Sequence, residues 1–442
     1  MSPLAGANEL DPRETLATSP MSPVQMVAIA LTIGLNALDG FDVLAISFAS
    51  PGIAREWGID RAALGFVLSM ELIGMALGSI LLGRAADRLG RRRTILGCLA
   101  LMSVGMIMTT TAKGVQDLSV WRIFTGLGIG GMLAATNAVA AEFSSARRRG
   151  LCVSLMAIGY PLGAVVGGAI AAILLRRADW RVVFEFGACA TAFLIPPVAR
   201  FVPESIGWLC QRQPPGALAQ VNRTLTRMGH VPVPSLPTRS TEEQTRSIMV
   251  IFRHGMAPVT LLVTLAYFLH ITTFYFILKW VPKIVADMGY TAATAASVLV
   301  WANVGGATGG AVLGLLTLRF GLKRLTIAVL LLSVVMVTVF GLGQTDLTQL
   351  SLVCAATGFF TNAGVVGIYG ILAIAFPTHV RATGTGFAIG VGRAGAMVAP
   401  IAAGYLFQAG HDLEFVALAM SAGSLIAAAA LWFLPLRGSA RL

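Results

Sequence analysis

Charge is what this sequence has least of. Only 12% of its 442 residues are Asp, Glu, Lys or Arg, about half the share of a soluble globular domain, while 56% are hydrophobic. A single core cannot absorb so much apolar surface, so most of it must face lipid. Cysteine is scarce as well. Cys98, Cys152, Cys189, Cys210 and Cys354 are scattered, with no metal spacing and no evident disulfide framework. GxSxG, HExxH, Walker and paired Cys/His motifs are all missing. These absences point to an integral membrane protein that is not an enzyme and holds no metal and no cofactor, with an ion gradient as its energy source.

The charge that is present is basic. The net charge is +12, which could suggest nucleic acid, but the arginines are concentrated in short loops between apolar runs. No basic helix, zinc spacing or RNP-like motif accompanies them, and nucleic acid is set aside as a partner. Apolar runs of spanning length occur near 24–50, 62–83, 94–112, 118–141, 150–175 and 181–202. A second set lies near 256–286, 292–317, 324–344, 347–376, 383–408 and 413–436. Each is close to or above the roughly 20 residues that cross a bilayer as a helix. The fold class is therefore an all-α membrane protein, with twelve transmembrane helices in two six-helix bundles, 24–202 and 256–437. The polar stretch 203–255 reads as a linker with one surface helix. Residues 1–23 read as a disordered N-terminal tail rather than a signal peptide, and 438–442 as a short C-terminal tail.

Orientation follows from the arginines. GRAADRLGRRR, SSARRRG, the linker, LRFGLKR, PTHVRATG and LRGSARL share one side, which places both termini in the cytoplasm. RRADWR, between the fifth and sixth runs, is basic on the wrong side. The halves also repeat weakly: GMALGSILLGRAADRLGRRR from Gly74 aligns with GGATGGAVLGLLTLRFGLKR from Gly305. Parallel halves related about the membrane normal place a substrate site between them.

These residues resemble the major facilitator superfamily. GRAADRLGRRR is similar to its loop between spans two and three, WRIFTGLGIGG to its fourth-span Arg motif, and VPESIGWL to its exit from span six. LDGFD in span one, WRVVFEFG and RATGTGFAIGVGRAG resemble the aromatic acid:proton symporters. That resemblance implies a bacterial inner-membrane importer of acids such as 4-hydroxybenzoate, protocatechuate or vanillate, monomeric and working by alternating access. A proton-coupled exporter of drugs or aromatic metabolites and a non-transporting receptor for organic acids are the alternatives. Two departures stand out: Leu318 occupies the second-half position of Asp87, and span two carries Glu71 where a small or neutral residue is expected.

The candidate site starts from LDGFD. Asp39 and Asp42 are three residues apart, so they share a helix face about halfway along the first run. An Asp facing lipid there costs about 2.5–3.5 kcal/mol, so the pair should face a water-accessible cavity, where mutual repulsion favours proton exchange. The competing reading is that Asp39-Gly40 merely breaks the helix. Arg393 lies nine residues into the run from Gly384, about 13 Å at helical rise against a half-bilayer of about 15 Å. The substrates that the resemblance implies are carboxylates, for which its guanidinium offers a bidentate fork.

Arg122 reads either as a cavity cation or as a residue snorkelling at the outer end of span four. Glu71 is placed with the proton-coupling acids, and fold analogy pairs it with Arg393. Lys279 and Glu185 read as interfacial. The aromatic slot is expected from Phe274, Tyr275, Phe359 and Tyr369, with His270 and Asn362 as polar groups and Tyr267 on the same helix face as His270. Gly83, Asp87, Arg88, Gly90, Arg91 and Arg92 read as a conformational latch, joined by Glu142 through Arg147 or its neighbours.

Overall fold

The computed structural model describes residues 11–237, 248–253, 255–317, 319–344, 346–377 and 380–435. All regular structure among them is helical. Twelve helices are long and apolar enough to span a membrane. Spans one to six are Pro23–Trp57, Arg61–Leu89, Arg91–Thr110, Val115–Glu142, Arg149–Leu174 and Arg181–Phe201. Spans seven to twelve are Ala257–Asp287, Ala292–Leu316, Leu322–Gly341, Leu347–Ala375, Arg381–Gln408 and Leu413–Phe433. Spans one to six pack mainly against one another, as do spans seven to twelve, and the halves meet through spans one, two and five against seven, eight and eleven.

Small residues allow the closest approaches. In span one a Cβ at Gly40 would fall into the Tyr160 carbonyl of span five, and one at Gly163 into the Ala37 carbonyl. Such contact is the usual source of helix adhesion in lipid, where no hydrophobic force drives apolar helices together. Span one runs uninterrupted from Pro23 to Trp57, so Asp39-Gly40 does not break it. Gly40 is there because span five touches its backbone.

Two expectations outside the spans are corrected. The tail is not wholly disordered: Pro12–Thr18 is a helix, capped by the Asp11 side chain accepting from the Arg13 amide at 2.9 Å. Leu16 is buried, and the Ala146 amide donates to the Ala17 carbonyl at 2.8 Å, which docks the helix on the loop after span four. One leucine and one cap suffice for a helix this short, and neither stands out in a polar stretch. Among its described residues the linker holds two helices rather than one, Ile206–Arg212 and Ala217–Arg227, with a 3-10 turn at Ile248–Phe252. Each helix buries an apolar side, with Trp208 and Leu209 on the first and Val221 and Leu225 on the second.

The halves are fastened at the end remote from the arginine-rich loops. Arg61 at the start of span two pairs with Asp287 at the end of span seven (3.2 Å), and its amide donates to Gln408 at the end of span eleven (3.3 Å). One step deeper, the Ser69 hydroxyl donates to the Met397 carbonyl at 2.8 Å.

Candidate functional site

Five ionisable side chains meet in the middle of the protein with essentially no solvent contact. Asp39 is 1% exposed, and Asp42, Glu71, Arg122 and Lys279 are 0% exposed. Glu71 forms an ion pair with Arg122, and its other oxygen lies 3.5 Å from the Lys279 ammonium. Arg122 also donates to the Asp42 carbonyl at 3.2 Å, and Lys279 donates to the carbonyl of Val43. The guanidinium of Arg122 lies over the Phe184 ring, 5.2 Å from its centroid. Buried charge is tolerated when it is paired, and here three acids face two bases. None of the four carboxylate oxygens of Asp39 and Asp42 has a hydrogen-bond partner among the described residues. Gly187 of span six packs closely beside Asp42, since a Cβ there would stand 3.3 Å from Oδ1.

Three sequence expectations change at this point. Arg122 does not snorkel; it is wholly enclosed and paired. Glu71 meets Arg122 and Lys279 rather than Arg393. Lys279 is not interfacial: it is wholly enclosed beside Glu71, eight residues, about 12 Å, inside the end of span seven. This lysine is the principal member of the buried cluster that sequence reasoning missed. The signal was available, because an unexplained Glu71 in one half requires a cation, and Lys279 is the intramembrane lysine of the other half. Glu185 is exposed, as expected of an interfacial residue.

Arg393 stands in a different setting. It is half-buried on span eleven, and its electrostatic neighbours are the hydroxyls of Tyr267, Tyr369, Tyr275 and Tyr160. The Tyr267 and Tyr369 hydroxyls are 2.9 Å apart, with ring centroids at 5.5 Å. Gly392 admits the Tyr267 ring against the span eleven backbone, where a Cβ would overlap it. Tyr160 of span five lies beside Tyr275 of span seven, with Glu71 in the vicinity of both. The tyrosines thus connect the two charged groups across the halves. Tyr275 and Tyr369 were expected here; Tyr160, inside the GYPLG stretch, was not.

The other aromatic and polar candidates divide. Phe274 packs edge-on to Tyr275 at 5.5 Å and is half-buried at the junction of the two largest apolar clusters. Phe359 is half-buried against its neighbour Phe360, and its carbonyl is what a Cβ at Gly309 would meet. Asn362 donates to the Gly306 carbonyl at 2.7 Å and ties span ten to span eight.

His270 is corrected from a ligand-facing residue to a core residue. Its Nε2 lies 2.8 Å from the Thr361 carbonyl, which can only accept, so Nε2 carries the proton and Nδ1 accepts from the Ser424 hydroxyl at 2.8 Å. Both ring nitrogens are thereby used between spans seven, ten and twelve. His270→Ala is expected to cost about 1–3 kcal/mol by stranding those partners, while leaving the half-saturating acid concentration unchanged. Thermal unfolding and uptake kinetics on the same preparation check both halves of that statement.

The residues expected to act as a latch contact one another within the first half. Asp87 pairs with Arg91 at 3.0 Å, and Arg91 Nε lies 3.8 Å from Glu142. Glu142 accepts from the Ser205 hydroxyl, and Arg91 rather than Arg147 is its cation. Glu204 accepts from the amides of Arg91 (2.7 Å) and Arg92 (3.2 Å), capping span three, while the Arg92 guanidinium donates to Ala199. Gly90 has φ of 102°, a conformation that favours glycine, and a Cβ there would strike Glu204. A Cβ at Gly83 would stand 4.0 Å from that of Ala134 in span four, and Arg88 is exposed. Leu318, the degenerate second-half position, lies outside the described residues.

Two pseudo-symmetric helical halves with buried charge between them define a membrane carrier. The sequence model of the Major Facilitator Superfamily matches residues 32–277 and 261–441, and the chain belongs to that superfamily. Among curated relatives, the chain is 28% identical to the 3-(3-hydroxy-phenyl)propionate transporter of Escherichia coli, with 96% of this chain and 98% of that protein covered. It is 27% identical to the gallate transporter of Pseudomonas putida, covering 92% and 91% respectively. It is 28% identical to a 4-hydroxybenzoate transporter of Pseudomonas aeruginosa, covering 97% and 96%. Among solved structures, the E. coli xylose transporter in a partially occluded inward-open conformation superposes with a TM-score of 0.75. That match has 18% identity and covers 95% of this chain and all of that one, which shows the shared fold.

Proposed function

We propose that this protein imports an aromatic monocarboxylate across the bacterial inner membrane together with a proton, by alternating access. The observation that carries this reading is the buried excess of one acid. Asp39, Asp42 and Glu71 face only Arg122 and Lys279, and the carboxylates of both aspartates lack hydrogen-bond partners among the described residues. One proton makes the cluster neutral. Asp39 is the group to take it, because Arg122 donates to the backbone carbonyl of Asp42, whereas Asp39 has no ion pair or side-chain hydrogen bond among the described residues. The acid anion binds Arg393, with the tyrosine hydroxyls meeting its carboxylate or ring hydroxyl and Phe274 flanking the ring. Tyr160 and Tyr275 make each site sensitive to occupancy of the other.

The relatives named for gallate, hydroxyphenylpropionate and 4-hydroxybenzoate support this substrate class. With the arginine-rich loops cytoplasmic, the fastened end faces outwards, and the state described is closed to the outside. The Lys279 contacts with Glu71 and Val43 cross the halves and must break as the halves rock. The test is substrate-induced proton flux in proteoliposomes. An inward gradient of 4-hydroxybenzoate, gallate or 3-(3-hydroxyphenyl)propionate should carry protons inwards. Proton flow opposite to the acid would establish an exporter instead, and binding without counterflow would establish a receptor.

A further inference from the structure

Away from the central site, the arginine-rich face contains a cavity of about 550 Å³ between the start of span three, the end of span six and the second linker helix. Arg92, Arg93, Arg200, Arg223 and Arg227 line it, with Glu204 as the acid in its wall. Glu204 is already engaged by the backbone amides of Arg91, Arg92 and Ser205. Among the described residues, none of the five arginines forms a salt bridge. Arg93, Arg200, Arg223 and Arg227 are exposed, and Arg223 and Arg227 are four residues apart on one side of Ala217–Arg227. The opposite side of that helix is anchored by Val221 and Leu225, so these two guanidinium groups are held over the cavity instead of drifting with a loose linker.

We propose that this cavity binds a phosphate group, carried by an acidic phospholipid or by a soluble phosphoanion. Five guanidinium groups against one occupied carboxylate leave an uncompensated excess of four positive charges in a concave site. A monocarboxylate balances only one of them. Inorganic phosphate or a phosphomonoester offers three or more acceptor oxygens and up to two charges, a lipid phosphodiester offers two anionic oxygens with one charge, and guanidinium forks match either bidentately. The depth suits a headgroup, since Arg92 and Arg93 open span three and Arg200 is the penultimate residue of span six. Occupancy would clamp the linker helix to the two spans that carry the Glu204 cap.

Arg223→Gln/Arg227→Gln is the informative variant, because both side chains are exposed and neither belongs to the latch or the central cluster. Purified full-length protein is melted in neutral detergent with short-chain phosphatidylglycerol, inorganic phosphate or pyrophosphate. Phosphatidylcholine and sodium chloride at equal ionic strength are the controls. The wild type is expected to melt higher with at least one phosphate probe than with its control, and the variant to need about tenfold more of that probe, or greater still, for half the shift. A response to phosphatidylglycerol alone identifies the lipid headgroup, and a response to phosphate or pyrophosphate as well identifies a soluble phosphoanion. No shift beyond the controls, or equal half-saturation in wild type and variant, overturns the proposal.

Discussion

Asp39→Asn is expected to abolish uphill accumulation of the aromatic acid while preserving exchange of labelled for unlabelled acid. Electroneutral symport of one proton with one monoanion should concentrate the acid about tenfold for each unit of pH gradient. Asparagine keeps the shape of a protonated aspartate but cannot release the proton on the cytoplasmic side. The cluster then holds Asp42 and Glu71 against Arg122 and Lys279, permanently neutral. The halves can still rock with acid bound, so counterflow persists and the accumulation ratio falls to about one. Normal accumulation in this variant would remove Asp39 from the coupling step. Loss of counterflow and accumulation together would mark it as structural.

The second large effect concerns Lys279, a buried cation that joins the halves. In Lys279→Gln, three acids remain against Arg122 alone, and breaking a buried pair by removing one partner costs about 3–5 kcal/mol. A lower unfolding temperature and loss of transport are expected. Glu71→Gln/Lys279→Gln returns the excess to one acid, so it should recover at least about 1–2 kcal/mol of that loss. Because Lys279 also holds the Val43 carbonyl of span one, next to Asp42, the double variant should be more stable than the single one yet remain slow in transport. A single variant as stable as wild type would show that the cross-half contact carries no weight. Unfolding in detergent, followed by intrinsic fluorescence for all three proteins, decides the matter.

Much of the site was legible one residue at a time, because a charged residue in an apolar run announces itself. Asp39, Asp42, Glu71, Arg122 and Arg393 all stood out in that way. Lys279 did not, because it lies in the last third of its run, 256–286, and a lysine towards the end of a run ordinarily reaches the headgroups. Packing encloses the ammonium instead, with Glu71 of span two and the Val43 carbonyl of span one as its partners. His270 misled for the opposite reason. An imidazole in a span suggests a titrating ligand group, yet Thr361 and Ser424 from two other helices consume both nitrogens.

Sequence alone determined the class of the protein, the number of its spans, their boundaries to within several residues, and the two aspartates of span one. Those features depend on local quantities: apolar length, the cost of a charge in lipid, and the placement of arginine in loops. Only the tertiary structure decided which charges are paired. Glu71 went to Arg122 and Lys279, Arg393 went to the tyrosines, and Asp39 and Asp42 were left without hydrogen-bonding groups among the described residues. Pairing in a buried site is set by distances of a few ångströms between helices far apart in sequence. Glycines such as Gly40, Gly163 and Gly392 fix those distances by letting one backbone touch another helix, and no periodicity along a single helix encodes which helix that is.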